Sequence, residues 1–318
     1  MSLPVARKIS LRLPSAGSRL RSRRGRPWLA IALFLGPWLV GMVGLTVAPI
    51  LTSFYYSLTD FKFFGDTNFV GFENYAFLFT DPRFATSLGV TFTYVGVSTP
   101  LKLALALVVA LMLKEHIRGI GLYRAAFYLP SLLGGSVAAA ILWRQMFGAG
   151  GALDQVFMFF GADSKSFVSS PDTSIWTLIA LAVWQFGAPM VIFLAALHQV
   201  PQELYEAASL DGASYWRKLI SVTLPMISPF ILFNGIMQII TSFQSFTPAY
   251  IISGGSGGPA DSTLVFALYL YEEAFTRLRM GYASAMAWVL LGIIAVFTLA
   301  MFLTSGRWVF NADEKAKR

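Results

Sequence analysis

The sequence predicts an all-α integral membrane protein of six spanning helices with both termini cytoplasmic, and three observations carry that expectation. Of its 318 residues, 56% are hydrophobic and only 13% charged, with a mean hydropathy of +0.64, too apolar for an ordinary solvated surface. Six stretches are long and charge-poor enough to cross a hydrocarbon core of ~30 Å, which takes about 20 apolar residues. Lysine and arginine crowd the segments of one side, the bias that sets orientation in a membrane.

The spans are read in order as Pro27–Thr59, Phe84–Leu101 continued past Lys102 to Leu113, Ala125–Trp143, Thr173–Gln202, Leu219–Ala260 and Met280–Gly306. The fifth window is long enough for two crossings. Pro225 interrupts its start and Gly254, Gly255, Gly257, Gly258 and Pro259 crowd its end, so one helix from about Met226 to Ile252 is expected. In the fourth, Trp184, Gln185, Gly187 and Pro189 mark a kink beside a polar side chain.

Residues 1–26 form a basic tail with eight cations and no acid (Arg7, Lys8, Arg12, Arg19, Arg21, Arg23, Arg24, Arg26), placing the N-terminus in the cytoplasm. Six crossings return the short tail 311–318 to the same face. The net charge of +8 equals the charge of the N-terminal stretch, so the basic balance is a topology signal. No aromatic residue interrupts that stretch before Trp28, against a nucleic-acid surface; disorder near anionic lipid headgroups is expected. The hydrophobic run after it is too long for a cleavable signal peptide.

Catalytic and metal chemistry find little footing. There are no cysteines and two histidines, His116 and His198, which are not spaced as metal ligands. No Gly-x-x-x-x-Gly-Lys-[Ser/Thr] run exists to cradle a nucleotide phosphate. No Asp or Glu falls within the six windows, unlike proton-coupled carriers, which keep ionisable acids there. The chain is therefore expected not to be an enzyme and to hold no metal or cofactor of its own.

The most specific segment is 201–225, on the predicted cytoplasmic side before the fifth span. Pro201 suits a first helical turn, Glu203 favours the positive end of its dipole, and Asp211-Gly212 ends the helix, glycine taking the left-handed conformation at no steric cost. Ser214 is then expected to cap a second short helix that Pro225 breaks at the membrane. Ala207 and Ala208 leave one face thin for a partner's backbone, and Glu206 offers a carboxylate.

Glu206-Ala207-Ala208, then Asp211-Gly212 and, after nine intervening residues, Val222-Thr223-Leu224-Pro225, resembles the coupling loop of importer permeases of the ATP-binding-cassette superfamily. Val222 stands where isoleucine is usual. GFENY at 71–75, YRAAFYLPSLLGG at 123–135, LWRQMF at 142–147, the run 193–214 and GYASAMAW at 281–288 look like the carbohydrate-uptake permeases, relatives of the maltose, lactose and glycerol-phosphate importers. The resemblance covers about residues 28–310. It implies a permease domain over 27–310 with cytoplasmic coupling helices, in a bacterial inner membrane. It also implies a second homologous permease, two cytoplasmic ATPases that carry ATP and Mg, an extracytoplasmic solute-binding protein, and a sugar or oligosaccharide as cargo. The coupling residues it implies are Glu206, Ala207, Ala208, Asp211, Gly212, Val222, Leu224 and Pro225. A facilitator, or a receptor or scaffold using the same loop without ATP-driven transport, is the competing reading.

For the pathway, Asn234, Gln238, Thr241 and Ser245 fall on one face of the fifth helix, with amides and hydroxyls that suit sugar hydroxyls. Bonding to a neighbouring helix is the alternative use. Gln185 at the kink is a further candidate. So is Lys102, ~18 Å along its helix from Lys114, to meet an anionic sugar or an acid of the partner permease; snorkelling along its own helix competes. Oligosaccharide, polyol, sugar phosphate and uronate are all compatible cargoes. The stretch 261–279, with Phe266, Tyr269, Tyr271 and Phe275, is expected as an interfacial helix beneath a docked binding protein.

Overall fold

The computed structural model describes residues 27–62, 66–115, 119–161 and 166–310; the two tails and His116 lie outside them. The chain divides into two compact units, one ending at Leu51 and one starting at Thr52. The first holds α1 (Pro27–Met42), a π turn over Val43–Val47, and the start of α2 (Ala48–Ser57). Phe34, Val40 and Leu45 are exposed along this rod.

The second unit contains α3 (Glu73–Leu78), α4 (Pro82–Met112), α5 (Ile120–Leu133), α6 (Val137–Phe147), α7 (Ala152–Phe159), α8 (Pro171–Trp184) and α9 (Gly187–His198). It continues with α10 (Gln202–Leu210), α11 (Tyr215–Lys218), α12 (Leu224–Phe243), α13 (Thr247–Ser253), α14 (Phe266–Tyr271) and α15 (Met280–Trp308). Five helices are long and apolar enough to cross a membrane, and the bent pair starting at α5 brings the number to six. Ala106 and Ala110, both fully buried, let α4 pack against α9 around Phe186, Met190, Phe193 and Leu197. Small residues at such contacts bring backbones together where dispersion is the main attraction.

Three expectations about the spans need correction. The third is not one straight helix: α5 stops at Leu133 and the chain bends by 95° before α6, whose first turn is capped by Ser136 accepting from the Ala139 N–H at 3.1 Å. Gly134 sits at the bend, where a Cβ would lie 2.1 Å from the Gln185 side chain, so the glycine admits that close approach.

In the fifth span, Pro225 does not break the helix. A π turn over Leu219–Thr223 joins α11 to α12, and the span runs unbroken from Tyr215 to Phe243. The widened turn makes room for the proline ring one turn downstream. The real break comes at Gln244–Phe246, so the helix expected to reach Ile252 becomes α12 plus the short α13. Nor does Ser214 cap α11 with its side chain; its carbonyl accepts the Lys218 N–H instead.

Within the stretch 261–279, residues 263–266 and 268–269 are buried in the bundle, whereas 275–278 are exposed. Phe266 and Leu268 are fully buried and Tyr269 nearly so. α14 packs against α4 and α15, and its first N–H, from Phe266, is accepted by the Thr91 hydroxyl at 2.7 Å. Phe275 is exposed, and Tyr271 joins a ring cluster with Phe246, Tyr250 and Phe275.

The predicted kink in the fourth span is present between Trp184 and Gly187, and it interlocks with the third. Pro189 has no N–H to give the Gln185 carbonyl, so the Ser131 hydroxyl donates to it at 3.0 Å and accepts the Ala188 N–H at 2.9 Å. A Cβ on Gly187 would meet the Phe127 carbonyl oxygen at 2.5 Å. Because the obstacle is backbone, Gly187→Ala is expected to destabilise the bundle by about 1–3 kcal/mol, seen as a lower melting midpoint in detergent; an unchanged midpoint would refute this close crossing.

Candidate functional site: the elbow between the fourth and fifth spans

Chain chemistry alone shapes this segment. α10 ends in a Schellman motif: the Gly212 N–H bonds the Ser209 carbonyl at 3.0 Å and the Ala213 N–H bonds the Ala208 carbonyl at 2.9 Å. Gly212 has φ +72°, the left-handed region where a Cβ is penalised. Lys218 Nζ donates to Ser209 Oγ at 2.7 Å, tying the two arms of the turn. Tyr205 anchors the elbow to the bundle; its hydroxyl shares a hydrogen bond with Thr223 Oγ1 at 3.0 Å, and Lys114 Nζ lies 4.1 Å from its ring centroid.

The eight residues expected here fall into two sets. Glu206, Ala207, Asp211 and Gly212 are exposed on the elbow, beside Leu210 at 91% exposure and the exposed rings of Tyr215 and Trp216. Ala208, Val222, Leu224 and Pro225 are half-buried. The exposed set and its apolar neighbours project from the elbow, whereas the other set packs into the bundle. Tyr205 and Thr223 were not singled out by sequence, although both lie inside the patterned stretch.

The polar face of the fifth span is partly a helix-to-helix seam. Gln238 Nε2 donates to Ser242 Oγ at 3.0 Å, Ser242 shares a hydrogen bond with Thr99 of α4 at 3.2 Å, and Ser245 donates to the Tyr94 hydroxyl at 3.3 Å. Asn234 is buried with its side-chain Nδ2 unpartnered. Thr241 is exposed, its hydroxyl turned back on the carbonyls of Met237 and Gln238. Ser245 falls beyond the end of α12, so the four residues do not share one continuous face. Gln185 donates to the Gly134 carbonyl at 3.0 Å and belongs to the interlock. Lys102 is half-buried within α4.

At the end of the bundle opposite the elbow lies a charged cluster that no local pattern announced. Arg83 grips Asp261 through two N–H groups at 2.9 and 2.8 Å and Glu272 through a third at 2.9 Å. Glu273, fully buried, lies between Arg277 at 2.9 Å and Arg279. Asp81, just before α4, accepts from the hydroxyls of Tyr269 at 2.5 Å and Tyr282 at 2.7 Å, and from the Arg83 N–H at 3.0 Å. Burial by itself would raise the Asp81 pKa, but these hydrogen bonds outweigh it and hold the carboxyl below its usual range.

Comparison with known proteins bears on the family and the fold. Residues 76–309 match the family described as binding-protein-dependent transport system inner membrane component. The chain is 46% identical over 283 residues to the probable ABC transporter permease protein YesP of Bacillus subtilis (strain 168), covering 88% of this chain and 92% of that one. It is 31% identical over 280 residues to the lactose transport system permease protein LacF of Rhizobium radiobacter, covering 85% and 92%. In fold it matches a chain of a bacterial alginate ABC transporter crystallised with an alginate pentasaccharide-bound periplasmic protein, at 22% identity and a TM-score of 0.77, over 89% of this chain and 95% of that one. The chain thus belongs to the binding-protein-dependent inner membrane components, as a multi-pass permease of the ATP-binding-cassette transporters.

Proposed function

We propose that this chain forms half of the pathway of an ATP-driven, binding-protein-dependent sugar importer. The exposed elbow of α10 and its Schellman turn carry the reading: a rigid knob with an apolar and acidic surface, continuous with a full spanning helix, suits a lever moved from outside the bundle. ATP-driven closure of two partner ATPases on Glu206–Gly212 tilts α11–α12, and the bundle changes the side to which its cavity opens. A second, homologous permease supplies the other half, and a solute-binding protein docks at the opposite end. Both termini and the elbow lie in the cytoplasm. The lactose permease relative favours a sugar as cargo, and the crystallised alginate transporter favours a periplasmic binding protein as partner. Thr241 and the free amide of Asn234 are the fifth-helix groups left for sugar hydroxyls; Gln238 and Ser245 serve the seam with α4.

The natural chain has no cysteine, so Glu206→Cys gives a single labelling site. A membrane-impermeant maleimide is expected to label it only in inside-out vesicles, and a short bifunctional reagent to link it to the ATPase subunit. Labelling from the external face would overturn the proposed orientation.

A further inference from the structure

Lys102 stands ten residues before the end of α4 at Met112, about 15 Å along the helix and so near the middle of a ~30 Å hydrocarbon core. Every other charged residue of the described helices lies within about two turns of a helix end. Exposure along α4 fixes the face. Pro100, Leu101, Ala104, Val108 and Met112 are exposed, whereas Lys102 falls in the stripe of Ser98, Ala106, Val109 and Ala110, all buried. A lysine snorkelling through lipid belongs on the first face; this one points into the bundle side yet keeps partial exposure.

Lys102 takes part in no hydrogen bond or ion pair among the described residues, and the acids of the charged cluster at the far end are held by arginines. One turn away on the same stripe, the Ser98 hydroxyl is fully buried and unpartnered. The pairs Tyr94–Ser245 and Thr99–Ser242 set α4 and α12 antiparallel, which puts residues 102–103 level with Gln238 and the Asn234 amide about one turn further along. An ammonium at mid-membrane depth, with no counter-charge among the described residues, therefore lies level along the bundle with neutral groups that can bond hydroxyls.

From this juxtaposition we infer that Lys102 reads the charge of the cargo, and that the cargo is a sugar bearing a carboxylate, a uronate. The inference rests on the transport reading above and narrows its substrate class. A single ammonium suits the carboxylate of one uronosyl ring, since an oligouronate spreads its charge one to a ring; a phosphate concentrates two charges on one group and calls for several convergent donors, such as a helix N-terminus or an arginine fork. Uncharged sugars leave the ammonium unbalanced in a low-dielectric site.

The test uses the complete transporter, this chain with its cognate permease, ATPases and binding protein, in proteoliposomes supplied with ATP. Digalacturonate, lactose and glucose 6-phosphate serve as probes. Wild type is expected to accumulate digalacturonate. Lys102→Gln should cut that uptake at least tenfold while ATP hydrolysis stimulated by the loaded binding protein persists, and Lys102→Arg should restore most of it. Wild-type uptake of lactose or glucose 6-phosphate without digalacturonate, or full digalacturonate uptake by Lys102→Gln, would overturn the inference and leave the importer reading intact. Rescue of Lys102→Gln by neutralising an acid of the partner permease would overturn it too, making the lysine half of a subunit ion pair. ATP hydrolysis with no uptake of any of the three sugars would also overturn the uronate inference, while the importer reading, which admits other oligosaccharides and polyols, would stand.

Discussion

Gly212→Val is expected to lower ATP-driven uptake roughly tenfold while the chain still inserts and pairs with its partners. At φ +72° a side chain meets the following carbonyl at a cost of about 1–2 kcal/mol, more for a β-branched one. Tenfold in rate corresponds to about 1.4 kcal/mol. Relieving the strain means rotating the backbone out of the left-handed region, which opens the bonds from Gly212 to Ser209 and from Ala213 to Ala208. α10 then points elsewhere, and the exposed Glu206 and Leu210 no longer present one surface. Gly212→Asn, which tolerates this conformation, should lose far less. Uptake normalised to the amount of chain in the membrane separates the two variants; equal activity in both would remove the turn from the mechanism.

The second large effect concerns folding. Glu273→Ala is expected to cost about 2–3 kcal/mol, because a buried carboxylate is removed from between two guanidinium groups. Loss of one partner of a fully buried pair usually costs about 3–5 kcal/mol; Arg277 and Arg279 are 38% and 37% exposed, so water softens their loss. A drop of several degrees in the detergent melting midpoint, mostly recovered in Glu273→Asp, is the expected reading. A midpoint equal to wild type would show that the cluster contributes nothing to holding α15 to the turn before it.

Much of this protein was legible because two of its constraints are local. Hydrocarbon thickness dictates apolar length, so the long helices at 82–112, 171–198 and 280–308 follow from composition. The elbow was equally readable, since Gly212 ends α10 for reasons contained within five residues. Pro225 misled because a proline's effect depends on the turn before it, and the π register of Leu219–Thr223 is not written in any one residue. α12 ends at Gln244 because Pro248, four residues on, has no N–H for the Gln244 carbonyl, a signal that the glycine cluster further along obscured.

The amino-acid sequence by itself determined the apolar crossings, the side chains of the elbow and the family. Only the tertiary structure decided which polar residues are seam and which are free. Gln238 and Lys102 look alike as polar residues in apolar windows, yet Ser242, itself bonded to Thr99, accepts from the first and no described residue pairs with the second. Likewise Arg83 meets Asp261 across a separation of 178 residues, and Phe266, Leu268 and Tyr269 are buried because α14 packs against α4 and α15. Hydrogen bonds and ion pairs depend on atoms coming within about 3 Å, and contacts between remote segments are set by packing, which local pattern does not encode.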